Sequence, residues 1–358
     1  MATTSVNLVY VANQNSKTVS VIDGSSNSVI ATISVGSYPT GVAVNSSTNT
    51  IYVTNQYSNT VSVINNTVTT ISVGYNPCGV AVNSSTNTIY DANNVATGSV
   101  SVINGSNNTV TATINVGEYP YGVAVNSSTN TIYVTNQYSN TVSVISGSNN
   151  TVTATISVGS SPYGVAVNSS TNTIYVANSG SNTVSVISGS NNTVTATISV
   201  GNNPYGVAVN SSTNTIYVAN YSSSDSVSVI SGSNNTVTAT ISVGEYPYGV
   251  AVNSSTNTIY VTNQYSNTVS VISGSNNSVT ATISVGTNPA GLDILSATVT
   301  IYSPNVSITS CPSSVNAGAS FSVSASAYQP YGSISNIQVT FNGTTQTINA
   351  SSGTVSFT

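Results

Sequence analysis

Apolar residues alternate with small polar ones through most of this chain, and the alternation stops and restarts at short intervals. Between residues 247 and 286, the alternating runs occupy residues 250–252, 259–261, 269–272 and 279–285. A period of two is typical of β-strands, and the Asn-, Ser- and Gly-rich segments between the runs are typical of turns. The pattern predicts a four-stranded antiparallel meander, whose strands we call A to D.

The same unit recurs along the chain. Each copy starts at a proline, and successive prolines are 38 to 43 residues apart, at Pro39, Pro77, Pro120, Pro162, Pro204, Pro247 and Pro289. Both faces of every meander carry Val, Ile, Ala, Thr or Tyr and almost no charge, which suits a sheet packed between two others. Repeats of this length and pattern predict blades stacked around an axis, as in a β-propeller.

The two chain ends supply the last blade. Residues 5–36 contain runs that match strands B, C and D, and residues 290–295 match a strand A that lacks the other three. Pairing the two remnants adds one composite blade to six whole ones and leaves no blade face open. We therefore predict an all-β fold with a seven-bladed propeller over residues 1–296.

The second strand of the unit carries a recurring motif. It reads Tyr-Val-Thr-Asn from Tyr52, Tyr133 and Tyr260, and close variants start at Tyr10, Tyr90, Tyr175 and Tyr217. In this motif the chain resembles the YVTN-family β-propeller repeat, over about residues 5–296. That family groups archaeal surface-layer and other cell-surface proteins with many of unknown role, so the resemblance implies a propeller in the cell envelope. The chain departs from it in the A–B turn, where Ser-Ser-Thr-Asn replaces the family's frequent Pro-Asp-Gly.

The period stops after Ser296, and residues 297–358 form a second predicted domain. Short strand patterns lie around Val306, Phe321, Ile337, Thr347 and Val355, with a turn signal at Asn342-Gly343. This segment resembles the start of an immunoglobulin-like or PKD-like sandwich, which needs about seven strands and about 100 residues. The partial module is either cut short or completed by another chain. In the second case residues 1–7, expected to precede the first propeller strand, are a candidate donor strand for self-association.

Charge is almost absent from the 358 residues. Charged residues make up 2% of the chain, Lys17 is the one base, and there is no histidine. Without a basic stripe to hold phosphates, nucleic-acid binding is excluded. No apolar run is long enough to span a membrane, and the first residues do not form a signal peptide.

The shortage of titratable groups bears on location. Acid unfolds proteins mainly by protonating paired carboxylates, and this chain has only six. We therefore expect unfolding to depend weakly on pH. This expectation favours an extracellular protein in an acidic medium. Compositional drift of a Ser-, Thr- and Asn-rich surface protein is the alternative.

No enzyme chemistry, cofactor site or metal site is predicted. Triads and zinc sites need histidine or clustered cysteines, and calcium sites need several carboxylates in one loop. Glu118 and Glu245 occupy the same position in blades three apart, which indicates two solvated loops rather than a catalytic pair. Cys78 and Cys311 either form a disulfide or remain two separate thiols.

Strand parity sorts two residue types onto opposite ends of the propeller, because A–B and C–D turns lie at one end and B–C and D–A loops at the other. Possible N-glycosylation sequons begin at Asn45, Asn83, Asn126, Asn168, Asn210 and Asn253 in A–B turns, at Asn65, Asn107, Asn149, Asn191, Asn234 and Asn276 in C–D turns, and at Asn305, Asn342 and Asn349 in the second domain. A possible binding face at the opposite end comprises Tyr57, Tyr138 and Tyr265 in B–C loops, Tyr119 and Tyr246 before the proline, and Tyr121, Tyr163, Tyr205 and Tyr248 after it, with Tyr38, Tyr75 and Tyr221 nearby.

These features predict a non-enzymatic extracellular protein of the cell envelope, acting as a surface-layer, adhesion or filament-building module. Its expected partners are a cell-surface protein or glycan, or further copies joined through the C-terminal module. The alternative is a propeller that binds glycans or a small molecule through its tyrosine-rich face. If neither function applies, the asparagines are present because they favour turns, and the tyrosines are present because they pack the loops.

Overall fold

A computed structural model describes residues 2–301, 305–310, 321–328, 337–341, 344–348 and 352–357. The chain divides into two compact units. One is Asn7–Ala297, and the other combines Met1–Val6 with Thr298–Thr358.

All regular elements in the described ranges are β-strands. In the order of the chain they are β1 (Ala2–Asn13), β2 (Thr18–Asp23), β3 (Ser28–Ser34), β4 (Pro39–Asn45), β5 (Thr50–Asn55), β6 (Thr60–Asn65), β7 (Thr67–Ser72), β8 (Pro77–Asn83), β9 (Thr88–Asn93), β10 (Ser99–Asn104), β11 (Thr109–Asn115), β12 (Pro120–Asn126), β13 (Thr131–Asn136), β14 (Thr141–Ser146), β15 (Thr151–Ser157), β16 (Pro162–Asn168), β17 (Thr173–Asn178), β18 (Thr183–Ser188), β19 (Thr193–Ser199), β20 (Pro204–Asn210), β21 (Thr215–Asn220), β22 (Ser226–Ser231), β23 (Thr236–Ser242), β24 (Pro247–Asn253), β25 (Thr258–Asn263), β26 (Thr268–Ser273), β27 (Ser278–Ser284), β28 (Pro289–Ile301), β29 (Asn305–Ser310), β30 (Phe321–Tyr328), β31 (Ile337–Phe341), β32 (Thr344–Ile348) and β33 (Ser352–Phe357).

Seven four-stranded sheets form the propeller. Blades 1 to 6 are the consecutive groups of four strands from β4 to β27, each in the order A-B-C-D. Blade 7 has the order β28-β1-β2-β3, so it joins a C-terminal strand A to N-terminal strands B, C and D. The predicted composite blade is therefore confirmed. Residues 2–6 belong to β1, the strand that also supplies strand B of blade 7, whereas the propeller unit itself begins at Asn7. The expectation that residues 1–7 precede the first propeller strand stays a prediction.

The register within a blade follows the hydrophobic alternation. In blade 3, for example, Tyr133 lies opposite Ala124 on strand A and Val144 on strand C. The pairing of strand A shifts between Pro120 and Val123, and the pairing of strands C and D shifts at Val144. Such irregularities increase local twist, which lets flat alternating sequences form the twisted blades of a propeller.

Every blade-to-blade interface contains a hydrophobic cluster. Strand-B tyrosines and strand-C valines of one blade pack against strand-B isoleucines and strand-A valines of the next, as Tyr133 does with Ile174 and Val165. Equivalent clusters join blade 6 to blade 7 and blade 7 to blade 1. Burying both faces of each sheet is what the charge-free alternation requires, and the ring supplies it without polar caps.

Glycine permits the closest approach between blades near the axis. A Cβ on Gly122 would lie 2.4 Å from the carbonyl oxygen of Tyr163 in the next blade, and one on Gly164 would lie 2.2 Å from that of Tyr205. The third residue of each strand A is therefore glycine because the backbone of the next blade leaves no room for a Cβ, and not because the chain turns there.

Asparagine dominates the turns because it tolerates the left-handed region. Twenty of the twenty-six non-glycine residues with positive φ are asparagines, found in all four kinds of connection. Asn and Asp adopt this conformation at lower cost than other residues because their short polar side chains bond to nearby backbone. The turn chemistry thus accounts for much of the chain's asparagine content.

The described part of the C-terminal segment contains five strands at the predicted places. β29, β30 and β33 form an antiparallel three-stranded sheet, and β31 and β32 form a separate antiparallel pair. The predicted immunoglobulin-like or PKD-like sandwich is not found. The sequence pattern identified the strands, but short alternating runs do not specify how two sheets pair.

Candidate binding face

The propeller has two chemically different ends, as strand parity predicted. At one end the A–B and C–D turns of a blade meet, since the Gly147 N–H donates to the Asn130 carbonyl at 2.8 Å. At the other end the B–C and D–A loops meet, since the Gln137 N–H donates to the Tyr119 carbonyl at 3.0 Å. We call these ends the asparagine face and the tyrosine face.

On the asparagine face, the sequon asparagines of the A–B turns are structural. Asn126 is fully buried, its Nδ2 donates to Asn172 Oδ1 of the next blade at 2.8 Å, and its Oδ1 accepts the Ser128 N–H at 3.1 Å. The same bridge to the next blade is made by Asn45, Asn83, Asn168 and Asn210, and the sixth member, Asn253, is also buried. The amide that a glycan would modify is therefore enclosed and already donates a hydrogen bond in five of the six.

Different residues close the ring where the composite blade interrupts the asparagine bridges. Asn7 of blade 7 donates from Nδ2 to the Tyr260 hydroxyl of blade 6 at 3.1 Å. On the other side, Asp293 Oδ2 accepts the Val44 N–H of blade 1 at 2.8 Å.

The C–D sequon asparagines are exposed instead. Asn65, Asn107, Asn149, Asn191, Asn234 and Asn276 all lie on the surface. In Asn149 the Oδ1 accepts the Thr151 hydroxyl at 2.8 Å, and Nδ2 faces solvent. The glycosylation prediction is therefore restricted to these six positions within the propeller. Of the remaining sequons, Asn342 and Asn349 lie outside the described residues, and Asn305 begins β29.

On the tyrosine face, the tyrosines after the proline converge on the axis. Tyr163 and Tyr205 stack with ring centroids 4.0 Å apart, Tyr121 packs edge-on against Tyr163, and the hydroxyls of Tyr121 and Tyr248 bond to each other across the ring. Burial raises the pKa of Tyr121, Tyr205 and Tyr248 above the usual range, so these phenols stay protonated. These four side chains plug the central channel.

Glutamines and a further tyrosine complete the plug with bonds to one another. Gln137 donates to the Tyr163 hydroxyl at 2.6 Å, the Tyr221 hydroxyl donates to Gln264 Oε1 at 2.7 Å, and Gln264 Nε2 donates to Gln14 Oε1 at 3.1 Å. Cavities of about 160 Å³ and 200 Å³ lie below and above the tyrosines. Both are smaller than the roughly 300–1,000 Å³ of ordinary ligand pockets. The channel is therefore a self-satisfied core rather than an open site.

The other predicted tyrosines form three exposed pairs further from the axis. Tyr57, Tyr138 and Tyr265 are 66%, 65% and 61% exposed. Each stacks on the tyrosine before the proline of its own blade, with ring centroids 4.4 Å apart for Tyr38–Tyr57 and Tyr119–Tyr138 and 4.3 Å apart for Tyr246–Tyr265. We call these three stacks the tyrosine pairs. They lie in blades 1, 3 and 6.

Carboxylates flank two of the three pairs. Glu118 and Glu245 directly precede the stacked tyrosines of blades 3 and 6 and are exposed, whereas blade 1 has Ser37 there. In blade 6 the Tyr246 N–H also donates to Asp225 Oδ1 at 3.0 Å. The two glutamates are thus on solvated loops of separate blades, and no pair of acids faces across a cleft.

Blade 2 carries two residues whose environment the sequence analysis missed. Asp91 replaces the valine of the YVTN motif, is fully buried, and neither carboxyl oxygen has a hydrogen-bond partner. Desolvation raises its pKa well above the usual value. Cys78 takes the place of a channel tyrosine and is buried. Burial, together with the charge of the nearby Asp91, raises the pKa of its thiol. Its possible disulfide partner, Cys311, lies outside the described residues, so the bridge stays a prediction.

Asp293 is a second carboxyl with an unusual environment. It lies in strand A of blade 7, and burial raises its pKa to about 6 although two backbone N–H groups, of Val44 and Ile294, donate to it. A carboxyl with a raised folded-state pKa favours the folded protein at acid pH. The expected weak dependence of unfolding on pH therefore needs revision.

The described residues also bear on metal binding and on membrane insertion. No group of three or more His, Cys, Asp or Glu side chains comes close enough together there to hold a metal ion. Over the same ranges, no helix has the length and apolar character of a membrane span.

Comparison with known proteins supports the fold alone. No protein-family profile matches the chain, and no curated protein sequence matches it. A protein of unknown function from Desulfotomaculum acetoxidans superposes with a TM-score of 0.72 at 15% identity, over 80% of this chain and 98% of that one. The hydrazine synthase of Kuenenia stuttgartiensis gives a TM-score of 0.68 at 20% identity, over 74% and 91%. Apo AztD from Citrobacter koseri gives 0.58 at 13%, over 82% and 99%.

One of these neighbours is of unknown function and another is a hydrazine synthase, so the propeller fold itself does not indicate an activity. The fold implied by the YVTN resemblance is confirmed, while membership of that family and a surface-layer role remain expectations.

Proposed function

We propose that this chain is a non-enzymatic cell-surface module that binds a neutral glycan through its tyrosine face. The supporting observation is the set of three exposed tyrosine pairs on one end of the propeller. Tyrosine offers a flat apolar ring with a hydroxyl at its edge, which suits a ligand that has both C–H surfaces and hydroxyl groups. The extracellular location and the acid setting are part of the same proposal and rest on composition.

The charge distribution selects the ligand class. A ligand held by ion pairs needs cations or clustered carboxylates opposite its charges, and the chain has one base and six acids. A neutral glycan needs neither. The binding should therefore change little with ionic strength, because screening weakens only charge–charge attraction.

A neutral-glycan array probed with the whole chain at low and at about 1 M salt tests this function. Retention on neutral glycans at both salt concentrations is the expected result. Failure to retain any neutral glycan, together with capture of a cell-surface protein by the same face, would instead assign the face to protein recognition. Loss of retention at high salt would contradict the proposal as well.

A second candidate function, assembly within the cell envelope, is favoured by the outer strands. The seven D strands are edge strands, and their sequences, such as Thr151–Ser157, contain no charged residue. Lys, Pro or short length normally protects such edges from pairing with another chain. Here the edges are long, uncharged and rich in Thr and Val, which favours pairing between copies in a surface layer or filament.

Charge placed on the edge tests this candidate. Thr155→Lys with Thr197→Lys adds positive charge to the D strands of blades 3 and 4, and Ser170→Lys adds one on an exposed A–B turn as the control. If copies assemble through D strands, electron microscopy at high concentration shows sheets or fibres for the wild-type and control proteins, and none for the double variant. Wild-type protein that stays monomeric at high concentration contradicts the candidate.

A further inference from the structure

The junction between the D–A loop and the B–C loop has the same backbone in five blades. In blade 3 the Glu118 N–H donates to Ser139 Oγ at 2.8 Å, and the Tyr138 N–H donates to the Glu118 carbonyl at 3.3 Å. The equivalent two bonds join Ser37 to Ser58 and Tyr57 in blade 1, Ser160 to Ser181 and Gly180 in blade 4, Glu245 to Ser266 and Tyr265 in blade 6, and Thr287 to Ser16 and Asn15 in blade 7. Blades 4 and 7 therefore make this junction without any aromatic ring.

Rings at this junction occur together or not at all. Blades 1, 3 and 6 have tyrosine both in the B–C loop and before the proline, while blade 4 has Gly180 with Ser161 and blade 7 has Asn15 with Asn288. Since the backbone is the same in both cases, loop folding does not require the tyrosines. Their joint occurrence indicates that the stacked pair is the functional unit.

In each pair we call the tyrosine before the proline the inner tyrosine and the B–C loop tyrosine the outer one. The inner tyrosine has an unfavourable backbone conformation. Tyr38, Tyr119 and Tyr246 have φ values of 58°, 50° and 52°, where the corresponding residues of blades 2, 5 and 7 are asparagines. Among the described non-glycine residues with positive φ, these three are the aromatic ones. A bulky residue in this region is strained, and strain of this kind concentrates at functional positions. The strained tyrosine occurs in the three blades that also have a B–C loop tyrosine for it to stack on.

The outer rings present free surface and free hydroxyls. Within the described residues, the hydroxyls of Tyr57, Tyr138 and Tyr265 make no hydrogen bond, in contrast to the bonded phenols of the plug. The flanking side chains of Glu118 and Glu245 are exposed acceptors beside the rings of blades 3 and 6, and the half-buried Ser37 takes this place in blade 1. A ring face with an acceptor at its edge suits the C–H face and the hydroxyls of a sugar ring.

We propose that the three tyrosine pairs are three separate subsites for neutral pyranose rings, through which the propeller binds one neutral polysaccharide chain at up to three points. This inference rests on the proposed glycan-binding function and deepens it. The central tyrosines take no part, because they pack on and bond to one another and the cavities beside them are smaller than ordinary ligand pockets.

Trivalency sets the expected strength. A single sugar on one exposed ring binds weakly, but linking several such contacts in one polymer raises the overall affinity by about 10²–10⁴-fold when the geometry permits. We expect a polymer such as mannan, dextran or galactomannan to bind at least about 100-fold more tightly, per sugar chain, than its methyl glycoside.

Affinity electrophoresis in native gels containing each polysaccharide tests the subsites, since a bound protein is retarded relative to a blank gel. The variants are Tyr57→Asn, Tyr138→Asn and Tyr265→Asn, singly and combined, and each introduces the residue that blade 7 has at this place. They leave net charge unchanged, so mobility in the blank gel stays the same. We expect the dissociation constant of each single variant to be about tenfold higher than that of the wild type, and we expect no retardation of the triple variant.

Two matched variants separate the pairs from general stickiness of tyrosine. Tyr75→Asn removes a tyrosine that is 73% exposed on the same face but stacks on no other described ring. It should leave retardation unchanged. Ser161→Tyr combined with Gly180→Tyr builds a fourth pair on the existing junction of blade 4, and it should increase retardation.

The outcomes distinguish this inference from the function on which it rests. Wild-type protein that is retarded by no polysaccharide and retained on no neutral glycan overturns both. Wild-type protein that binds while the triple variant binds equally well leaves glycan binding in place and overturns the subsites. An effect of Tyr75→Asn as large as that of Tyr57→Asn also overturns them.

Discussion

The two ends of the propeller are built from loops of the same repeating blade but use their side chains in opposite ways. On the asparagine face, one buried carboxamide recurs in six blades and bonds across the interface in five of them. On the tyrosine face, the exposed residues differ from blade to blade, and three blades pay a backbone cost to carry aromatic pairs. Within a repeat protein, features that recur in every unit serve the ring, and features restricted to some units are candidates for function.

Breaking one asparagine bridge should have the largest effect. Asn168→Ala removes a buried carboxamide, leaving Asn214 Oδ1 and the Ser170 N–H without their partner. Unpaired buried groups cost about 1–3 kcal/mol each, so the free energy of unfolding should fall by about 2–4 kcal/mol in denaturant titration. Glycan binding should be unaffected.

The matched control for that variant is Asn191→Ala, at the exposed C–D turn of the same blade. Its change should stay within about 0.5 kcal/mol, as for ordinary surface substitutions. Equal effects of the two variants would contradict the structural role assigned to the A–B asparagines.

Blade 2 sharpens the comparison, because Asp91 is restricted to one blade yet lies on neither face. Asp91→Val restores the residue that the other YVTN motifs have at this place and removes a buried carboxyl without partners. At neutral pH we expect the free energy of unfolding to rise by about 2 kcal/mol. The gain should be smaller near pH 3, because a protonated carboxyl costs less to bury.

The wild-type protein should show the corresponding pH dependence. The folded-state pKa values of Asp91 and Asp293 are raised, the latter from 3.8 to about 6, so unfolding releases protons. The free energy of unfolding is then highest below about pH 4 and falls as pH rises through the folded-state pKa values. For Asp293 alone the fall should be about 1–3 kcal/mol. Thermal melts from pH 3 to pH 8 check this, and a melting temperature that is lowest at pH 3 would contradict it.

The smallest effect is expected on the tyrosine face. Tyr119→Asn removes a ring stack worth about 0.5–1.5 kcal/mol but relieves the strain of a tyrosine at φ 50°. The two terms oppose each other, so the free energy of unfolding should change by less than about 1 kcal/mol. A loss of several kcal/mol would show that the pair is part of the fold, contrary to its proposed function.

The architecture was predictable because strands of alternating residues leave a direct trace in the sequence. The proline period set the blade length, and the incomplete units at the two ends specified the composite blade. The described strands do not show the predicted sandwich, because the pattern of β29 to β33 identifies strands but carries no information on sheet pairing.

Side-chain roles were less predictable than strands. The sequence predicted which end of the propeller carries the tyrosines of the B–C loops and of the strand-A starts. It could not separate the plug from the pairs, because that depends on which strand-A side chains point toward the axis. It also could not tell the buried Asn126 from the exposed Asn149, because both stand in turns with the same sequon. Asp91 did leave a signal, as a charge at an apolar position of a repeated motif.

The composite blade also brings the two chain crossings of the propeller unit to one end. The chain enters the propeller unit at Asn7 and leaves it at Ala297. The Asn7 carbonyl accepts the Gly24 N–H of a C–D turn, and the last residues of a strand A run toward the A–B turn end, so both crossings lie on the asparagine face. If the proposed cell-surface role holds, a tether joined at either crossing would hold the propeller by the end opposite its tyrosine pairs.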